Sequence, residues 1–176
     1  MRPYAAFLRG VLPMIAKNED LRRCFEHAGF ADVKTVLASG NVVFRAPASA
    51  ERALEKKADA AMQKLLGRTF AAFVRPVERL EEILATDPYE GFGLPADAKR
   101  VVTFFRDLPD PLPPLPVEEE GARILRVAGR EAYTAYVRVP NNAVFMKLIK
   151  ATFGDEVTTR TWESVMKVAR AGAAHS

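Results

Sequence analysis

This chain has one cysteine, Cys24, and two histidines, His27 and His175. A single thiol forms no internal disulfide, which agrees with a reducing compartment and points to the cytoplasm. Two histidines and one cysteine do not supply the ligand spacing of a zinc centre, so no metal or other cofactor is expected. No apolar stretch approaches the ~20 residues that span a membrane. The start, Met1-Arg2-Pro3-Tyr4, has none of the regions of a signal peptide, and no membrane partner is expected. A Gly-x-Ser-x-Gly elbow and a Walker loop are both missing. Gly91-Phe92-Gly93 is too sparse to hold a phosphate. No run of five or six like charges occurs either.

What is present is ordinary globular composition, with 49% apolar and 27% charged residues over 176 positions. That length allows one domain or two small ones, with a core that needs no covalent staples. The net charge of +4 is unevenly spread. Residues 1–76 carry 13 Lys+Arg against 7 Asp+Glu, residues 77–125 carry 5 against 11, and residues 126–176 carry 8 against 4. The basic outer segments read as solvated helix faces that can also attract a polyanion.

A hairpin signature occurs once in each half. Ser39-Gly40-Asn41 separates the apolar runs 33–37 and 42–44, and Ala128-Gly129-Arg130 separates 124–127 and 132–137. Around the first, the pattern predicts a strand over 3–9 and a helix capped by Asn18. Leu21, Cys24, Phe25 and Ala28 form the apolar face of that helix, and Gly29 ends it. Strands over 33–37 and 41–46 follow. Pro47 and Ser49 start a second helix, with Leu54, Ala58, Ala61, Met62 and Leu65 on its inner face and Gly67 at its end. A strand over 70–75 stops at Pro76. The order β-α-β-β-α-β is the ferredoxin-like arrangement.

From residue 77 the order partly repeats. A short helix over 77–85 links the halves, 86–98 is a loop, and 100–106 is a strand. Pro109, Pro111, Pro113, Pro114 and Pro116 exclude a regular helix there and read as a linker. The hairpin 123–138 comes next, then a helix from Asn141 or Asn142 with Val144, Phe145, Leu148 and Ile149 inside. A strand near 156–159 leads to a last helix capped by Thr161 and lined by Trp162, Val165, Met166 and Ala169. The expected fold class is therefore α+β: two tandem ferredoxin-like (βαββαβ-type) units with antiparallel sheets, residues 1–76 and 77–176, the second irregular.

Few side chains carry chemistry. Cys24 sits on an apolar helix face, where a thiol packs as a small hydrophobe and is inert. Glu118-Glu119-Glu120 and Asp155-Glu156 are solvated carboxylates whose side chains do not converge. The third strand has one aromatic, Phe44, and Tyr4 and Phe7 alternate across the first, which argues against base stacking of the RNA-recognition kind. Two basic clusters remain as anion contacts: Arg9 with Lys17, and Lys147 and Lys150 with Arg160 beside Thr161 at a helix start. The first and third strands of such a unit are expected to run parallel, which puts Arg9 and the 39–41 turn at opposite ends of the sheet, where they form no common site within one unit.

Several segments together resemble the bacterial family called domain of unknown function 1697. They are Phe7-Leu8-Arg9-Gly10, Gly29-Phe30 with Val33, Ser39-Gly40-Asn41-Val42-Val43-Phe44, Val127 with Gly129-Arg130-Glu131, Lys147-Leu148, and Thr158-Thr159-Arg160 with Trp162. The resemblance implies the two-unit α+β fold and no known activity. Many members carry a glycine-rich, lysine-bearing loop after Leu-Arg-Gly. Here that stretch is Val11-Leu12-Pro13-Met14-Ile15-Ala16-Lys17, without glycine, so the chain looks like a Pro-Met-x-x-Lys subgroup and an anion-holding role does not carry over from that loop. Thr161 stands where asparagine is common before the tryptophan.

Three readings of function follow. The leading one is a non-enzymatic cytoplasmic module binding an anionic ligand, a nucleotide or nucleic acid, through Arg9, Lys17, Lys147, Lys150, Arg160 and Thr161. The second is an enzyme on a phosphorylated or carboxylated small molecule bound between the units. The third is an interaction or oligomerisation module that uses the open face of a sheet.

Overall fold

The computed structural model describes residues 1–38, 40–137 and 143–174. Ser39 of the first hairpin turn, Arg138 at the end of the second hairpin, the expected caps Asn141 and Asn142, and His175 lie outside the described residues. By compactness the chain divides into two units. One comprises Met1–Ala85 with Ser164–Ser176, the other Thr86–Glu163. This differs from a division after residue 76, because the chain folds its last helix into the first unit rather than the second.

In the first unit the elements run β1 (Arg2–Leu8), α1 (Asn18–His27), β2 (Ala31–Val36), β3 (Asn41–Ala46), α2 (Glu51–Leu66), β4 (Ala72–Pro76) and α3 (Val77–Thr86). The sheet order is β2-β3-β1-β4, with every neighbouring pair antiparallel. β1 and β3 are therefore antiparallel, with Arg2 opposite Ala46 and Phe7 opposite Asn41. The expected parallel pairing is corrected by the connections themselves. The α1 crossover brings β2 back parallel to β1, and the hairpin then reverses β3. Arg9 thus lies at the same end of the sheet as the 37–41 turn.

Alternation along the strands places Tyr4, Ala6, Leu8, Val42, Phe44 and Val74 on one face. That face packs on Leu21, Cys24 and Phe25 of α1 and on Leu54, Ala58, Ala61 and Met62 of α2. Phe44 is the hub. Its ring centre lies 4.3 Å from that of Phe30, 5.5 Å from Phe25 and 5.8 Å from Tyr4. Leu65, expected inside, is 42% exposed. The intervening strand residues Ala5, Phe7, Val43 and Phe73 are buried as well, whereas Lys34 of the edge strand β2 is exposed.

The edge strand β4 is closed by α2. The Ala72 N–H donates to Asp59 Oδ1 at 2.9 Å, and the Val74 N–H donates to Glu55 Oε2 at 2.9 Å. Carboxylates one helical turn apart thus satisfy backbone donors that an edge strand otherwise presents to another chain. Glu55 Oε2 also lies 3.9 Å from Arg75 Nη1, and both side chains are 1% exposed.

Cap positions depart from expectation at α1. Lys17 is the N-cap, and the Asp20 carboxylate accepts the Lys17 N–H at 3.2 Å. Asn18 instead donates its side-chain N–H to the Leu37 carbonyl at 2.9 Å, which ties the start of α1 to the end of β2. Gly29 and Gly67 take the left-handed conformation that ends each helix.

The second unit contains β5 (Lys99–Phe105), β6 (Val117–Glu119), β7 (Ala122–Ala128), β8 (Glu131–Tyr136), α4 (Ala143–Phe153) and β9 (Val157–Thr161). Its sheet order is β6-β7-β8-β5-β9, again antiparallel throughout. Where the first unit has α1, this unit has an irregular segment and the three-residue strand β6. The prolines at 109–116 remove the amide donors a helix needs. Phe145, Leu148 and Ile149 of α4 pack on Val101, Phe105, Ile124 and Val157. Residues on the opposite face, Val102, Phe104, Tyr133 and Ala135, are buried too.

The last helix, α5 (Trp162–Ala173), buries Val165, Val168 and Ala169, whereas Met166 is half-buried. Gly172 sits against α3, where a Cβ would come within 2.5 Å of Val77 Cγ2.

Candidate functional site

The six sequence-predicted anion contacts do not converge on one site. Arg9 follows β1 with its backbone N–H bonded to the Ala71 carbonyl at 3.0 Å, and its side chain is half-buried. Lys17 is exposed at the start of α1. These two share one end of the first sheet with the β2–β3 turn.

The later cluster is not brought together. Lys147 and Lys150 lie on the solvent side of α4. Arg160 alternates with Val157, which faces α4, so its side chain leaves β9 on the other face of the sheet. There Arg160 is buried, and its Nη1 donates to Thr158 Oγ1 at 2.7 Å and to the Thr159 carbonyl at 2.8 Å. Burial draws the guanidinium pKa down to about 10. Thr161 is the half-buried last residue of β9, directly before α5. Arg160 is thus enclosed while Thr161 is half-buried, and the sheet separates Arg160 from the two lysines.

A different basic feature lies on the helical layer of the first unit. α1 and α2 run side by side over the sheet, and a groove of about 270 Å³ opens between them. Lys57, Ala60, Ala61 and Lys64 of α2 recur at i, i+3, i+4 and i+7 and so share one helix face. His27 and Ala28 close the groove from the end of α1. Alanines form the floor because only small side chains leave room between two packed helices, and the three basic side chains form the rim.

The acids nearest in sequence are engaged elsewhere. Glu26 accepts from Arg22 at 3.0 Å, and Asp59 caps β4. Among the described residues, His27, Lys57 and Lys64 have no side-chain hydrogen bond or ion pair. The groove is therefore a cationic rim over an apolar floor. Cys24 does not line it, being buried on the inner face of α1. Burial, with the Asp20 carboxylate second, pushes that thiol up from its usual range.

Sequence reasoning passed over this groove. The spacing of Lys57 and Lys64 marks one face of α2, but His27 joins it only through helix packing. Among the described residues, no group of three or more His, Cys, Asp or Glu is placed to hold a metal, and no helix is long and apolar enough to cross a membrane.

Fold and site together define an α+β protein with two antiparallel sheets and a basic helical groove. The family model described as Protein of unknown function (DUF1697) matches residues 1–133, and the chain belongs to that family. It is also similar to a solved structure described as conserved bacterial protein SP0830 from Streptococcus pneumoniae. The two share 18% sequence identity with a TM-score of 0.70, over 98% of this chain and 99% of that one. At that identity the likeness concerns the fold. A comparison with curated proteins finds no match.

Proposed function

We propose that this chain is a non-enzymatic cytoplasmic module that binds an anionic ligand, a nucleotide or nucleic acid, with phosphate seated in the α1–α2 groove. The observation that carries the reading is the unpaired rim of His27, Lys57 and Lys64 over alanines. The excess of 13 Lys+Arg over 7 Asp+Glu in residues 1–76 supports it, since a surplus of that sign attracts polyanions. Arg9 and Lys17 extend the positive surface of the same unit, and Lys147 and Lys150 are a second exposed pair. Both units are read as ferredoxin-like, on the support of the matching orders β2-β3-β1-β4 and β7-β8-β5-β9. Pro13, Met14 and Lys17 support the Pro-Met-x-x-Lys subgroup.

The test is titration of a labelled single-stranded oligonucleotide across salt concentrations. The expected result is micromolar binding at low salt, with log K falling by ~0.7 per phosphate contact for each unit of log salt. Replacing Lys57 and Lys64 with alanine removes about two contacts and flattens the slope by roughly 1.4. No binding at low salt, or an unchanged slope in the double variant, overturns the reading.

A further inference from the structure

The second unit contains a cleft of about 370 Å³ whose chemistry differs from that of the groove. Its base is Tyr89, supplied by the loop between α3 and β5. The buried Tyr89 hydroxyl donates to the Val101 carbonyl at 2.8 Å. Its ring meets Trp162 nearly perpendicular, at 5.4 Å and 89°. Arg100, at the start of β5, lays its guanidinium over both rings, 5.7 Å from the Tyr89 centre and 5.5 Å from that of Trp162.

Arg100 is exposed and, among the described residues, its side chain has no hydrogen bond or ion pair. A guanidinium resting on aromatic faces is held in one orientation, and its N–H fork stays open to a carboxylate or phosphate. Holding it so in advance lowers the ordering cost of binding.

The remaining lining selects between those anions. Asp87 and Glu90 line the same cleft, and Asp87 is fixed by accepting the Tyr89 N–H at 3.3 Å. A doubly charged phosphate on Arg100 would face both carboxylates. A singly charged carboxylate that carries an ammonium group satisfies both signs. Leu94, Pro95 and Ala96 add a small apolar patch to a mainly polar lining. We propose that this cleft is a second, separate binding site for a small zwitterion with an apolar side chain, the chemistry of a free aliphatic amino acid. Its carboxylate lies on the Arg100 fork, its ammonium at Asp87 and Glu90, and its side chain on Leu94, Pro95 and Ala96.

Calorimetry on the full chain tests this with three probes of one carbon skeleton: L-leucine, isocaproate without the ammonium, and isoamylamine without the carboxylate. The expected result is leucine binding, with each half-ligand weaker by about tenfold or more, as loss of one charged contact implies. Arg100→Gln loses leucine binding while the melting temperature holds, and Arg100→Lys, which keeps charge but not the fork, restores only part of it. Glu90→Gln weakens leucine and leaves isocaproate unchanged. Three results overturn the proposal: isocaproate binding as well as leucine, Arg100→Gln binding as well as the parent, and no heat from leucine at about 10 mM, beyond the weak end of specific affinities. Oligonucleotide binding is scored separately, so failure here leaves the groove reading to stand or fall by itself.

Discussion

The backbone N–H of Leu8 donates to the carbonyl of Gly40 at 2.8 Å. This bond joins the end of β1 to the β2–β3 turn. The Asn18 bond to the Leu37 carbonyl adds a second tie at the same end. The β1–α1 loop, with Arg9 and Lys17 at its two ends, is thus anchored on the hairpin turn.

That anchoring depends on a residue without a side chain at position 40. A Cβ there would come within 2.8 Å of Val11 Cγ2 and 3.2 Å of Leu8 Cβ, and Gly40 holds φ at +78°. Gly40→Ala is expected to destabilise the protein by ~1–3 kcal/mol, from crowding added to a conformation that alanine resists. Urea unfolding measures it, and an unchanged midpoint would show that the turn relaxes freely.

Glu55 is expected to be the most sensitive acidic residue of the first unit. Glu55→Ala strands a buried Val74 N–H and weakens the pairing of Arg75, for a loss of about 3–5 kcal/mol. Glu55→Gln keeps an acceptor for the N–H and loses less. Asp59→Ala, at a half-buried position, costs ~1 kcal/mol. Chemical denaturation ranks the three, and equal losses would contradict the burial argument.

The α3–α5 approach gives a paired test. Gly172→Ala brings a Cβ to 2.5 Å from Val77 Cγ2 and is expected to cost roughly 1–3 kcal/mol. Val77→Ala in the same chain relieves the clash, so the double variant loses less than the sum of the singles. Additive losses in a double-mutant cycle would place the contact elsewhere.

Cys24 is expected to resist thiol reagents in the native protein. Burial raises its pKa, and the thiolate is the reactive form. Labelling with a chromogenic disulfide should proceed at the rate of unfolding and become immediate in denaturant. Fast labelling without denaturant counts against a closed α1–sheet interface.

Tyr89 predicts a pH signature. Burial, the largest cause, raises its hydroxyl pKa in the folded state above the usual value of ~10. Above pH ~10 the unfolded chain loses this proton while the folded chain keeps it. Its contribution is present in full below that pH and declines above it by about 1.4 kcal/mol per pH unit. Tyr89→Phe lacks this term. The variant should be less stable than the parent by ~1 kcal/mol at neutral pH, and the gap should narrow in alkali. A gap that stays constant to high pH would mean that Tyr89 titrates normally.

The element order was legible in the sequence because glycine and proline punctuate it. Gly29, Gly67 and Gly154 end helices, and Gly40 and Gly129 turn hairpins at the positions their spacing implies. The proline segment excluded a helix for a local reason, and none forms there. Contacts between elements were not legible. Nothing near Asn18 announces that its side chain bonds Leu37 rather than its own helix. Lys57 and Lys64 show their shared face, but not the alanine floor they flank with α1. Arg160 read as exposed beside three threonines, yet strand alternation turned it inward, on the side away from α4. Tyr89, in a stretch legible only as loop, joins Trp162 and Arg100 through distances that no local pattern encodes.

The division of the chain also bears on how it is made. The first unit holds residues at both ends, Met1–Ala85 and Ser164–Ser176, and the second is inserted between them. A ribosome releases the chain from its N-terminus. The first sheet and its two covering helices can therefore assemble early, while the seat for α5 beside Val77 stays vacant until the whole insert has been translated. During synthesis Val77 stays uncovered on that side until Gly172 arrives with α5.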